Sequence, residues 1–297
     1  MKIGASKPAV LHRGIYMAVK ARDNDDRTRM KKATVTFCAL AALTMAWLGW
    51  SQFRIKPVQE FPPPPVDPAD RVATARYWRG QNIRKAYSAA GVEYPGEVFL
   101  RWLKHEAVLE LWARNPGRRF RLVGGYPILA SSGTSGPKRR EGDKQVPEGF
   151  YFIDRFNPQS SFHLSLGLNY PNASDLVLSD HDHPGSDIFI HGSDVSIGCA
   201  PLGDTAIELV YLAALDAEAH GQKRIEVHVF PGRMHGPEWE QFAAKEIAQR
   251  PELKAFWAQL QPGYDYFEQH RALPAVVIEQ DGRYTVHSGP GSAEPAH

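Results

Sequence analysis

Glu97-Val-Phe-Leu-Arg-Trp-Leu103 and Val108-Leu-Glu-Leu-Trp-Ala113 begin a series of short apolar runs whose reading decides the fold class. Phe120-Arg-Leu-Val123, Tyr126-Pro-Ile-Leu-Ala130, Gly149-Phe-Tyr-Phe-Ile153 and His163-Leu-Ser-Leu-Gly-Leu168 continue it. Each run is four to seven residues long, rich in aromatic and branched side chains, and bounded by Gly, Pro or Asn. That length and punctuation predict strands. Ile188-Phe-Ile-His191 and Ile225-Glu-Val-His-Val-Phe230 add two more, and Ala275-Val-Val-Ile278 with Arg283-Tyr-Thr-Val286 predicts a hairpin turning at Asp281-Gly282. Helical spacing covers Val72 to Ala90, ending at Gly91. It recurs from Asp204, read as a cap, to about His220, and from Pro237 to Leu260 with a break near Pro251. The fold class is mainly β with attached helices (α+β), around a β-sandwich or barrel core.

Working outward, the ends differ in composition from this centre. The 297 residues carry 35 Lys+Arg against 33 Asp+Glu, a formal charge of +2. Residues 1–32 hold nine of the cations and three of the acids, a net +6 that leaves the remainder at −4. So small a total charge argues against a nucleic-acid partner. Ala33 to Trp50 is eighteen residues without a charge or a proline, just long enough to span a bilayer. The basic flank orients it with residues 1–32 in the cytoplasm and the rest exported. Met30-Lys31-Lys32 ahead of this run also has the form of a start followed by a signal segment. The bulky Trp47 and Trp50 spoil a cleavage site, which favours an uncleaved anchor.

Residues 51–70, with Pro57, Pro62 to Pro65 and Pro68, read as an extended spacer reaching up to ~60 Å. The expected layout is then a helical lead-in over 71–95, a catalytic domain over 96–235, a helical and hairpin extension over 236–287, and a tail over 288–297. Cys38 falls inside the apolar run and Cys199 in the globular part, so no disulfide framework is read.

Chemistry concentrates in His191-Gly-Ser-Asp-Val-Ser-Ile-Gly-Cys199. A thiol with an ordinary pKa near 8.5 is a few per cent ionised at neutral pH, so a nucleophilic cysteine needs a base. A histidine delivered by a strand end eight residues earlier supplies one type of base. Gly198 lets the backbone approach a substrate, with the amides near it and Cys199 available to an oxyanion. A buried inert thiol beside a core histidine has the same spacing. His181-Asp182-His183 contains metal-ligand types in a solvent-facing loop, and no metal or other cofactor is expected. Ser132 to Lys138 fails the phosphate-loop spacing because Pro137 separates Gly136 from Lys138. His163 and His228 read as packed polar residues, and Trp78, Trp102 and Trp112 as core.

Ile190-His191-Gly192 followed by Ser196-Ile197-Gly198-Cys199 resembles the active-site signature of the YkuD-type L,D-transpeptidase family, in the short-gapped form of its YafK-like branch. Glu141 to Lys144, Pro147 to Tyr151, Asn169 to Asn172, and Arg224 to Pro231 with Arg233-Met234 are similar to its flanking blocks, in the same order. The resemblance implies a cysteine acyltransferase acting on peptidoglycan stem peptides, and the apolar run with its basic flank places it in the periplasm, tethered to the inner membrane by one helix. It implies Cys199 as nucleophile, His191 as base and Gly192 as the carbonyl that holds the imidazole. Arg155, Arg233 and Lys144 are candidates for pairing with stem-peptide carboxylates. The wider family has a histidine where this chain has Ile197. The same site with water as acceptor makes a hydrolase that detaches stem-linked groups, and a silent site makes a wall-binding module.

Overall fold

A computed structural model describes residues 67 and 69–290. The basic segment, the expected anchor with Cys38 and nearly all of the Pro-rich spacer lie outside the described residues. Among the described residues no helix is long and apolar enough to cross a membrane.

Five helices and ten strands are described, and eight of the strands form one sheet. Helix α1 (Arg71–Ala90) begins where the Asp70 carboxylate accepts the Ala73 N–H at 2.9 Å. It stops at Gly91, whose φ of 69° satisfies the last turn's carbonyls. Strands β1 (Glu97–Leu103), β2 (Val108–Arg114) and β3 (Arg121–Pro127) form an antiparallel meander. β4 (Gly149–Asn157) and β5 (Ser165–Leu168) follow, then the short helix α2 (Ala173–Leu178), β6 (Phe189–His191), β7 (Ala200–Pro201), α3 (Asp204–Ala219) and β8 (Glu226–Phe230). The order is β3-β2-β1-β8-β4-β5-β6-β7, with β1/β8 and β6/β7 parallel and the other neighbours antiparallel. The chain closes with α4 (Gly236–Gln249), α5 (Glu252–His270) and the hairpin β9 (Pro274–Ile278)–β10 (Tyr284–Pro290).

The predicted α+β class holds, with the core built as one curled half-barrel sheet packed by helices. Successive side chains of β1 point to opposite faces, and six of its seven residues are buried. Val98, Leu100 and Trp102 pack in the cluster that includes Ile83 and Tyr87 of α1 and Ile207, Val210 and Tyr211 of α3. Phe99 and Leu103, on the other face, join clusters that include Leu260, Tyr264 and Phe267 of α5. Each such side chain contributes about 1.5–3 kcal/mol by leaving water. Two strand readings change. Phe120 to Val123 and Tyr126 onward were read as separate strands, yet β3 runs continuously through Gly124 and Gly125 by shifting register against Leu111/Trp112. β10 extends to Pro290, beyond the expected start of the tail at residue 288.

Arg101 projects from β1 onto the α5 side, 1% exposed, between Glu110 at 2.7 Å and Glu268 at 2.5 Å. Glu110 also accepts from Trp112 Nε1 at 2.9 Å and pairs with Arg233 at 2.6 Å. His228 lies on the same side, its ring 4.7 Å from Phe99 and 4.8 Å from Phe150, with Nδ1 unpartnered. Burial, reinforced by the Arg101 and Arg224 charges, pushes its pKa down to about 3. An unfolded histidine takes up a proton near pH 6.5 while this folded one does not, so stability falls as pH drops between those values. His228 should contribute a slope of about 1.4 kcal/mol per pH unit there. Denaturant titrations at pH 4.5 and 7 should show that His228→Leu loses this share of the acid sensitivity; an unchanged slope would contradict the assignment.

Candidate active site

The parallel pairing of β6 with β7 matches Ile190 to Ala200 and His191 to Pro201. Extending that register by one residue sets Cys199 beside Phe189, and the two-residue repeat puts both on the sheet face that carries His191. His191 and Cys199 accordingly line one cavity of about 500 Å³, with Phe162, Phe189, Val195 and Ile197 around them.

The tautomer of His191 follows from its partner. Its Nδ1 lies 2.5 Å from the Gly192 carbonyl oxygen, which can only accept, so Nδ1 carries the proton and Nε2 is left as the basic nitrogen. The Phe162 ring lies against the imidazole at 4.7 Å between centroids, tilted by 32°. The Cys199 thiol donates to the Asp187 carbonyl at 3.7 Å, and no hydrogen bond joins it to the imidazole in this resting arrangement. Burial pushes the Cys199 thiol pKa up, and the Asp187 carboxylate adds to it against an opposing contact from the Phe189 backbone. Burial pushes His191 down, opposed by its bond to Gly192. The resting pair is therefore neutral thiol and neutral imidazole.

The loop between them is held by specific contacts. Gly192 has no room for a side chain, because a Cβ there would sit 2.6 Å from Asp204 Oδ1 and 2.7 Å from the Phe162 carbonyl oxygen. Ser193, at φ 59°, donates its amide to Asp204 Oδ1 at 2.9 Å. Asp204 was expected to cap α3, but Gly203 holds the cap position and the carboxylate fixes the His191-Gly192-Ser193 turn to the helix instead. Ser196 Oγ donates to the Cys199 carbonyl at 2.7 Å and accepts the Gly198 N–H at 3.1 Å. The Gly198 amide, expected to be free for an oxyanion, is thus engaged at rest. Gly198 has φ 132°, a conformation that favours glycine, with the Gln145 carbonyl 3.1 Å from where a Cβ would stand.

The candidate cationic residues lie apart from one another. Arg155 reaches the cavity's edge, stacked over Phe189 at 4.8 Å and paired with Asp187 at 3.1 Å. Lys144 is exposed, at φ 56°, outside the cavity lining. Arg233 is engaged by Glu110 on the α5 side of the sheet, also outside that lining. Among the described residues, no group of three or more His, Cys, Asp or Glu is arranged to hold a metal ion. Phe162, Asp187 and the bracing role of Asp204 escaped the sequence reading. Asn157 to Leu168 and Asp187 to His191 meet only through β5–β6 pairing, which no local pattern announces.

No protein-family model matches the chain. It is 35% identical over 191 residues to "Putative L,D-transpeptidase YafK" of Escherichia coli strain K12, an alignment covering 64% of this chain and 73% of that one. The same figures hold for the protein of that description in E. coli O157:H7. The chain belongs to the YafK-like L,D-transpeptidase family. Two solved structures are similar at lower levels. The helical cell shape determining protein Pgp2 from Campylobacter jejuni is 22% identical, with a TM-score of 0.36 over 50% of this chain and 55% of that one. Bd1075 of Bdellovibrio bacteriovorus is 19% identical, with a TM-score of 0.35 over 58% and 60%. Ile197, which stands where the wider family has a histidine, is 77% exposed and lines the cavity beside Val195.

Proposed function

We propose that this YafK-like protein is a peptidoglycan L,D-transpeptidase that works through a thioester on Cys199. The observation that carries the reading is the one cavity that His191 and Cys199 both line, with the Gly192 carbonyl fixing Nδ1–H and leaving Nε2 as the basic nitrogen. The thiol leaves the Asp187 carbonyl and passes its proton to Nε2, and the thiolate attacks the carbonyl of an L,D peptide bond in a stem peptide. The tetrahedral intermediate collapses, breaking the C–N bond; the departing amine takes the proton from His191 and the acyl group stays on sulfur. An acceptor amine then loses a proton to His191 and displaces the thiolate, giving a new amide. Phe162, Phe189, Val195 and Ile197 give the cavity its apolar walls and limit the approach of water to the thioester. In this reading Ala33 to Trp50 anchors the enzyme in the inner membrane with the described domain in the periplasm. Retention of the full chain in the membrane pellet after an alkaline wash tests that placement.

The reaction is tested by incubating the full-length chain with tetrapeptide-stem muropeptides and weighing the products. Cross-linked dimers are expected; shortened monomers alone would make water the acceptor and the enzyme a hydrolase. A neutral resting pair also fixes the pH profile. The rate constant kcat/KM should rise through a pKa below the ordinary histidine value of 6.5 and then stay level through neutrality. Its basic limb should lie above the ordinary thiol range, because burial raises Cys199. An acid limb above pH 6.5 would contradict the burial of His191.

A further inference from the structure

Two adjoining concavities, of about 670 and 330 Å³, lie where the end of α1 meets the β2–β3 turn. Both include Gly91, Val92 and Asn115. Arg84 projects into one and Arg118, Arg119 and Arg121 into the other. All four arginines are exposed, and none of them forms an ion pair among the described residues. Arg84 stacks on the Tyr94 ring at 5.0 Å, which leaves its guanidinium edges open. The acidic group beside them is Glu93. The nearby Arg114 is different, because Glu97 neutralises it at 2.6 Å.

The turn that carries the cluster is rigid. Pro116 presets one turn dihedral, Gly117 takes φ 70°, and the Arg118 amide donates to the Asn115 carbonyl at 2.9 Å. Guanidiniums gathered around a concavity without internal partners suit carboxylates, which they bind as bidentate pairs. The chain beyond residue 32 has a net charge of −4, so this local excess of cations does not follow from its average composition. The more enclosed of the two hollows, the one with Arg118, Arg119 and Arg121, suits a carboxylate projecting from a polymer better than a flat bilayer.

The same helix reaches the catalytic cavity with its other end. Arg71, its first residue, donates to the carbonyls of Ser160 and His163, and Ser160 lines that cavity. Twenty residues at 1.5 Å each separate the two ends by about 30 Å.

We propose that the Arg84, Arg118, Arg119 and Arg121 concavity is a second binding surface, for carboxylate groups borne by the wall polymer. It holds the enzyme on that insoluble substrate while a stem peptide elsewhere on the polymer occupies the cysteine cavity. The choice of polymer rests on the function proposed above; the preference for carboxylates does not.

The test is co-sedimentation of the full-length chain with purified peptidoglycan sacculi, with sacculi whose carboxylates have been amidated, and with anionic phospholipid vesicles. The basic segment over 1–32 is the same in both chains, so the readout within each arm is the difference between the natural chain and Arg118→Glu/Arg119→Glu. This variant should lose about tenfold in affinity for native sacculi and little for amidated sacculi or vesicles. Its turnover of a small soluble muropeptide should be unchanged. Arg84→Glu, on the facing helix, should repeat the loss if the double variant fails to fold. Equal binding of the natural and substituted chains to native sacculi would overturn the proposal, as would a loss confined to vesicles or undiminished by amidation. Because sedimentation needs no turnover, an inactive Cys199 would sink the proposed reaction and leave this result readable.

Discussion

Cys199→Ala is expected to lower muropeptide turnover by at least about 10³-fold, with folding stability changed by less than about 1 kcal/mol. The two readouts part because Cys199 is only half-buried and the hydrogen bond its thiol donates to the Asp187 carbonyl is long. An inert core thiol would behave in the opposite way, costing stability and sparing the rate. His191→Ala should cost about 10²–10⁴-fold by removing the base, and combining it with Cys199→Ala should add little, because residues acting as one unit are not additive. Turnover assays paired with urea unfolding of the same preparations measure both quantities. Retained turnover in Cys199→Ala would end the proposal that this thiol is the nucleophile.

The second large effect concerns the fold beneath that site. Glu148, fully buried just before β4, accepts from Lys104 Nζ at 2.7 Å, the Gly136 amide at 2.8 Å and Trp257 Nε1 at 2.8 Å. It thereby ties β1, the 129–148 loop and α5 together. Burial already pushes Lys104 below the usual lysine range, with the Glu148 charge opposing it. Glu148→Ala leaves the ammonium without its carboxylate and orphans two further donors. The expected destabilisation is about 3–5 kcal/mol, read as a lowered urea midpoint with an unchanged slope. Glu148→Gln retains an acceptor and should lose less. A change under about 1 kcal/mol for the alanine variant would show that the loop and α5 do not depend on this carboxylate. The loop also supplies the Gln145 carbonyl that abuts Gly198, so a loosened Glu148 should reach the cysteine turn.

Strands were legible wherever a run of branched and aromatic residues met a turn signal. In the run at Glu97 to Leu103, one register is wholly apolar and the other is apolar apart from Glu97 and Arg101, and the strand is buried on both faces. The partners of Arg101 were not legible, because Glu268 comes from a helix 167 residues away. Gly124-Gly125 looked like a strand break, and only the shifted pairing with β2 reveals it as part of one strand. Helix α2 passed unseen at six residues, although the Asn172–Asp175 capping box that starts it was present in the sequence. Asp204 illustrates a different limit. Its position at a helix start suggested a cap, and the competing Ser193 amide, eleven residues earlier, became visible only once the loop was folded.

The site divides along the same line. His191, Gly192, Gly198 and Cys199 stand close enough in sequence to form a motif, while Phe162 and Asp187 reach the cavity through long-range strand pairing. The shifts that reinforce the neutral state of the pair were equally hidden, because they arise from burial and not from spacing.

The central claim is that an acyl group resides on Cys199 during turnover. Acid-quenching the full-length chain after mixing it with a tetrapeptide-stem donor and no acceptor, then weighing the intact protein and its peptides, tests this directly. The expected result is a mass gain equal to the donor less its departing residue, located on Cys199 and removed by neutral hydroxylamine. Continued turnover with Cys199 never acylated, or an adduct on another residue, would contradict it.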